Sequence, residues 1–307
     1  MVRHGSVKGA AQELGVSEAA VSMHVTQLRK ELDDELFVRT GTGIAFTPGG
    51  LRLASRAAEI LGLHRQARED VSQAQSGRRL LRISASSMFA EHAAPGLIEL
   101  FTKRATDLDV ELSVGWPVTF EPLLVNRKVD VAIGPEPRSL SDGFIRKDFL
   151  AYSVVAAVGP EHRFAGRSVS VEQLSKAVWL LGPAAFGTVG LVPRSLNRLG
   201  VPEQNRRIFQ SDAAAVEEAK RTQGLVLTLA FSIAADIKAG RLVKIGSEAA
   251  EMRGTWAAVA LPQGRQHTLV SEFLQFLYSP RATQAMIRGT GVPINKFRPT
   301  VHITLWS

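Results

Sequence analysis

Seven histidines, at positions 4, 24, 64, 92, 162, 267 and 302, are the side chains best suited to moving protons or holding a metal near neutral pH. They form no i, i+4 pair and no HExxH motif. There is no GxSxG elbow and no Walker A loop, since Gly41-Thr42-Gly43 runs into a strand-like segment rather than a helix. Carboxylates such as Glu91, Asp130 and Asp212 are scattered, in positions that suit caps or a solvated surface. The cysteine count is zero, which removes disulfides, zinc–cysteine sites, iron–sulfur clusters and cysteine nucleophiles. No catalytic group, cofactor or metal is expected. What remains is a set of hydroxyls and aromatics at Ser86-Ser87, Thr119-Phe120, Phe186 with Thr188, and Thr228-Leu229. Their chemistry is binding without transformation: hydroxyls and neighbouring amides accommodate a small organic anion, and the rings flank it. Each Ser or Thr taken alone also reads as a helix cap.

These residues gain meaning from the elements that would carry them. Strand patterns at 80–86, 110–115, 129–134, 144–149 and 153–158 are interleaved with helical patterns at about 93–105 and 119–127. A second set follows, with strands at 177–182, 206–211, 225–229, 241–245 and 256–261. Its helices fall near 190–199, 212–222, 231–239 and 268–278. Alternation of this kind predicts parallel, doubly wound α/β sheets. The chain passes into the second set near Gly159-Pro160 and returns near Pro262-Gln263-Gly264, so a cleft between two subdomains is expected. Ligands in such folds sit at the carboxyl ends of strands, where the hydroxyl-bearing residues fall.

The front of the chain has a different texture. Val7, Ala10, Ala11 and Leu14 share one helical face, and Gly15 can stop that helix. Ser17 can cap a second helix striped by Val21, Val25, Leu28 and Leu32. Two short helices across a glycine turn form a DNA-reading unit or an ordinary helical hairpin. In the first case Ala19, Ser22, Met23 and Thr26, with Ser17 and Arg29, face a major groove. LFVRTGTGIAFTPGG then reads as a hairpin wing whose Arg39 meets a phosphate. Charge alone does not name the partner: the net of +8 is spread along the chain, and residues 1–82 carry only +3 of it.

GSVKGAAQELGVSEAAVSMHVTQLRKEL, then LFVRT, then FTPGG, resembles the winged helix-turn-helix head of LysR-type transcriptional regulators, and the likeness extends more weakly over nearly the whole chain. The resemblance implies a cytoplasmic regulator that binds double-stranded DNA, with a linker helix and an effector-binding domain like that of periplasmic binding proteins. Family heads begin with one more helix, ahead of the segment matching Gly5-Ser6. Only four residues precede Gly5 here, through a downstream start or a true loss, and open apolar faces are expected on the remaining helices. Glu18 stands where the family often has Gln, and Met23 and His24 where Arg and Gln are common.

Between Pro48 and Pro95 there is no proline, and Leu53, Ala57, Ile60, His64, Ala67, Val71 and Ala74 keep a heptad spacing. A helix over Gly49–Gln75 would run about 40 Å and give a homodimer or homotetramer. The expected organisation is a winged helix-turn-helix at 1–48 and a linker and dimerisation helix at 49–78. An effector domain follows at 79–293, with subdomain I about 79–159 and 264–293 and subdomain II about 160–263. A tail of unassigned role occupies 294–307. The opening residues lack a secretory core, and the most apolar run, Gly224–Ala235, is too short for a bilayer, where about 20 residues are needed. A soluble, non-enzymatic regulator is expected; the alternative is a solute-binding protein with the same cleft and no DNA role.

Overall fold

The computed structural model describes residues 2, 6–40, 43–137 and 140–288. The C-terminal tail and the wing tip at Gly41 and Thr42 lie outside the described residues. The chain divides into two compact units, residues 1–69 with 125–127, and 70–124 with 128–307.

In the first unit, α1 (Val7–Leu14) is capped by Ser6, whose Oγ accepts from the Gly9 N–H at 3.0 Å. It ends at Gly15, where φ of 65° favours glycine. Ser17 caps α2 (Glu18–Leu32), its Oγ accepting from the Ala20 N–H at 3.1 Å. Ala10, Ala11 and Val21 form the helix–helix core, and the two alanines allow the close crossing. The expected α2 stripe is buried only at its start: Val21 is 8% exposed, Leu28 37% and Leu32 49%. Eight residues of α1 span about 12 Å, whereas α2 runs about 22 Å, so α1 covers only its first half. The wing pairs β1 (Phe37–Thr40) antiparallel with β2 (Gly43–Phe46), Phe37 opposite Phe46. Asp34 closes its base by accepting from the Leu36 N–H at 2.6 Å and the Thr47 hydroxyl at 2.7 Å. The same Thr47 Oγ1 accepts from the Gly50 N–H at the start of α3 (Pro48–Ser76). A side chain at Gly50 would strike the Leu36 carbonyl, its Cβ falling 1.9 Å from the oxygen, so the wing and α3 meet only through glycine.

The second unit is built on one mixed sheet. Its strands are β3 (Arg79–Ala85), β4 (Leu108–Val114), β5 (Val131–Pro135), β6 (Ile145–Val158), β7 (Trp179–Leu181), β8 (Arg206–Ile208), β9 (Leu225–Leu229), β10 (Val243–Lys244) and β11 (Glu251–Ala260). The helices are α4 (Ser87–His92), α5 (Ala94–Thr102), α6 (Phe120–Val125), α7 (Val171–Ser175), α8 (Leu191–Arg198), α9 (Asp212–Arg221), α10 (Ala234–Lys238), α11 (Thr268–Phe276) and α12 (Pro280–Arg288). The order β4-β3-β5-β11-β6-β9-β7-β8 places two parallel groups on either side of an antiparallel centre, with β10 paired to β6.

Two expectations change here. The strands expected at 144–149 and 153–158 are one strand, β6, because the intervening Leu150-Ala151-Tyr152 contains no turn former. The sheet is not parallel throughout, because the chain leaves on β6 and returns on β11 in opposite senses. The core is apolar and continuous around Trp179, Trp256, Phe89, Phe101 and Phe273. A buried ion pair joins β3 to the residue before β5. Arg82, with a side chain 10% exposed, meets Asp130, 5% exposed, at 3.0 Å. Asp130 also accepts from the Arg82 N–H at 2.8 Å and lies 3.2 Å from His267 Nε2. Burial alone would raise the Asp130 carboxyl. The hydrogen bonds from His267 and Arg82, with the Arg82 charge, outweigh it and hold the group below the ordinary carboxylate range.

Candidate effector cavity and DNA-facing head

A cavity of about 110 Å³ opens where the two groups of strands meet. Ser86 and Ser87 reach it because β3 ends at Ala85 and α4 begins at once. Ser86 occupies the N-cap position but makes no capping hydrogen bond. Its hydroxyl is therefore not spent on the helix, and the first N–H groups of α4 have no acceptor within the helix. Trp116 and Pro117 enter from the loop after β4, Tyr152 from β6 and Trp256 from β11. Pro183, Ala184 and residues 189–193 close the other side. Tyr152 lies flat on Trp256, ring centres 4.3 Å apart and planes 14° apart. Phe89 meets the same indole edge-on at 5.0 Å and fixes it. Burial pushes the Tyr152 phenol up, and the positive charge of Arg194 partly offsets it. The lining thus combines a stacked aromatic pair with the hydroxyl-bearing Ser86 and Ser87.

The structure brings together only two of the eight residues expected here, Ser86 and Ser87. Thr119 is exposed and its Oγ1 donates to the Trp116 carbonyl at 2.8 Å. Phe120 is 6% exposed, packed with Leu124, Val129, Ala132 and Val259. Phe186 is 69% exposed, and Thr188 also faces solvent, although residues on either side of them line the cavity. Thr228 and Leu229 are fully buried, because both still lie within β9, paired with Val155 and Val154 of β6. The strand-end rule holds for β3 and fails for β9. Trp116, Tyr152 and Trp256 were not foreseen; a tryptophan in the otherwise small-residue run WAAVAL was the available signal.

In the head, Ala19, Ser22, Met23 and Thr26 are all exposed along one side of α2. Thr26 Oγ1 donates to the Ser22 carbonyl at 2.9 Å. Arg29 does something other than expected: its guanidinium donates to the Glu35 carbonyl at 2.6 Å and the Phe37 carbonyl at 2.7 Å. It also stacks over the Phe37 ring at 4.5 Å. It is a staple between α2 and the wing, its donors directed at the protein's own backbone. Arg39 lies in β1 opposite Ile44, and its side chain is outside the described part.

Along α3, Leu53 and Ala57 are half-buried, while Ile60, His64, Ala67 and Val71 are exposed. Ile60 and Val71 are 64% and 61% exposed, and Leu61 and Leu63 add to the apolar surface.

A winged helix-turn-helix followed by a long helix and a mixed α/β sheet with a central cavity defines a DNA-binding regulator with an effector-binding domain. Residues 1–51 match the bacterial regulatory helix-turn-helix of the lysR family, and residues 74–279 match the LysR substrate binding domain. The chain belongs to the LysR family of transcriptional regulators. It is 52% identical to the HTH-type transcriptional regulator Rv0377 of Mycobacterium tuberculosis, over 100% of this chain and 97% of the relative. It is 26% identical to the RuBisCO operon transcriptional regulator of Allochromatium vinosum, over 92% of this chain and 93% of the relative. Among solved structures it resembles ArgP from Mycobacterium tuberculosis, with a TM-score of 0.61 and 14% identity over 92% of this chain and 93% of that one. It also resembles full-length LysG from Corynebacterium glutamicum with bound effector Arg, with a TM-score of 0.56 and 19% identity over 94% and 93%. These relatives are regulators, which removes the solute-capture alternative. No helix among the described residues is long and apolar enough to cross a membrane.

Proposed function

We propose that this regulator is a non-catalytic, cytoplasmic homo-oligomer that reads double-stranded DNA with the Ala19, Ser22, Met23, Thr26 side of α2. Its DNA occupancy responds to a small organic acid with a flat apolar body. The observation that carries the effector is the cavity itself, lined by Ser87, by Ser86 with no capping hydrogen bond among the described residues, and by the stacked Tyr152 and Trp256. A carboxylate accepts from the hydroxyls and the first N–H groups of α4, and the body lies against the rings. The charge of Arg194, felt at Tyr152, favours an anion over a neutral or cationic ligand. The exposed apolar run along α3 supports self-association through Leu53, Ala57, Ile60, His64, Ala67 and Val71, and two half-sites require two heads.

The test is a thermal-shift screen of small aromatic and aliphatic acids, followed by calorimetry and gel shift with upstream DNA. Replacing Ser87 by Ala should weaken the selected acid by about 1–2 kcal/mol, the scale of a lost hydrogen bond to a charged group, while DNA binding without effector persists. Undiminished binding of the acid by this variant refutes the placement. Replacing Ser22 by Glu should weaken DNA binding by ~1–3 kcal/mol without changing the circular dichroism; normal operator affinity refutes the reading face.

A further inference from the structure

Glu91 and His92 close α4, and Asp212 opens α9, on the far group of strands. Their ligand-type atoms all lie within 4.8 Å of one another. His92 Nε2 is 3.8 Å from Asp212 Oδ2 and 4.0 Å from Glu91 Oε1. None of the three lines the effector cavity, although Ser87 and Met88 of the same short helix do.

The contacts are unusual for a purely structural cluster. Asp212 is 1% exposed, yet its Oδ2 has no hydrogen-bond partner among the described residues, and neither has His92 Nε2. At 3.8 Å the two are too far apart to share a proton in a hydrogen bond. Glu91 is held in place from behind: its two oxygens accept from the Asp212 N–H at 2.9 Å and the Ala213 N–H at 2.7 Å. Each oxygen has acceptor capacity beyond that one bond. Two carboxylates and an imidazole thus lie within 4.8 Å of one another, with Asp212 Oδ2 and His92 Nε2 buried and without hydrogen-bond partners among the described residues.

We propose that Glu91, His92 and Asp212 form a site for a divalent transition metal of the zinc class, joining α4 to α9 across the two groups of strands. Two atoms each about 2.1 Å from a tetrahedral ion stand roughly 3.4 Å apart, so the His92 contacts at 3.8 and 4.0 Å must tighten by about half an ångström, and the two carboxylates, within 4.8 Å of one another, by up to about 1.4 Å, to seat the ion. Three protein donors leave a fourth position for water. The imidazole favours zinc, cobalt or nickel over magnesium or calcium, which take oxygen shells. Two carboxylates with a neutral imidazole balance a dication. Burial disfavours the charged Asp212 carboxylate while the site is empty. A bound dication reverses the penalty on the carboxylates. Sequence spacing cannot reveal such a site, because adjacent residues 91 and 92 meet a donor more than a hundred positions away.

The experiment uses the full chain, stripped with chelator and titrated with zinc chloride by calorimetry, with cobalt absorption as a second probe. One zinc per protomer should bind saturably and raise the melting temperature. The His92→Gln and Asp212→Asn variants should each lose about tenfold or more in affinity while melting cooperatively without metal. Crystals of the unmodified chain soaked in zinc should show anomalous density at bonding distance from His92 Nε2, a readout that needs no variant. No saturable binding, affinity unchanged in both variants, or anomalous density only at other histidines overturns the proposal.

Discussion

Replacing Arg29 by Met separates a staple from a phosphate contact. The Phe37 carbonyl it holds is partly buried, and a charge-assisted bond there contributes about 1.5 kcal/mol, near the low end for charged donors because the Arg29 side chain is 32% exposed. The bond to the exposed Glu35 carbonyl is regained by water in the variant and contributes about 0.5 kcal/mol. Stacking on Phe37 adds roughly 0.5 kcal/mol. The Glu35 carboxylate, 71% exposed and 3.6 Å away, adds close to nothing. The sum is about 2–3 kcal/mol, or roughly 30- to 150-fold in the opening equilibrium between wing and α2. Hydrogen exchange at the Phe37 and Phe46 amides should accelerate by about that factor in the Met variant. DNA affinity should fall with it, but the slope of log affinity against log salt should stay as in the wild type. Loss of a phosphate contact would instead lower that slope by about one unit. A reduced slope with unchanged exchange would refute the staple and return Arg29 to the DNA.

Replacing Ile60 by Asp should give monomers in sedimentation with the effector domain still folded, because an unpaired charge in an apolar seam is costly; persistent oligomers would place the contact elsewhere. Replacing Thr228 by Val should raise stability by up to about 1 kcal/mol, since its hydroxyl is buried without a partner among the described residues. A destabilised variant in denaturant titration would contradict that account. Asp130 titrates below its ordinary range in the fold, so it stabilises above its unfolded pKa of about 3.9 and that contribution disappears as pH falls through the folded value. Replacing Arg82 by Met strands the buried carboxylate, and the loss of about 3–5 kcal/mol expected near neutrality should shrink in acid as Asp130 protonates. A loss that does not vary with pH would show that the charge is not its source.

The head was legible because its signals are local. Gly15 and Ser17 act within three or four residues of themselves, and each does what its type suggests. The long helix was legible for the same reason, with no proline between Pro48 and Pro95 and a steady heptad. Ser86-Ser87 could be found because they fall where the strand pattern gives out and the chain must leave the sheet into a helix. The aromatic half of the cavity could not. Tyr152 and Trp256 meet because β6 and β11 are neighbours, and a period-two pattern tells which face is buried without naming the neighbouring strand. Thr228 fails for a different reason: it and Leu229 are still paired in β9 with Val155 and Val154, whereas Ser86 and Ser87 lie beyond the last residue of β3. Arg29 misled because its partners are main-chain carbonyls, and a carbonyl leaves no trace in the residue letters.

The pairing of β6 with β11 also sets a schedule. Residues 159–250 must emerge between the two strands, and at ~5–20 residues per second a ribosome takes roughly 5–20 s to supply them. Throughout that interval the apolar edge of β5 and one long edge of β6 have no partner, since both are finally closed by β11. Such edges invite pairing with other chains. The nascent protein is therefore most vulnerable to aggregation late in synthesis, when most of its helices exist and its central strand does not. Conditions that slow translation between those strands should lower soluble yield more than equal delays elsewhere.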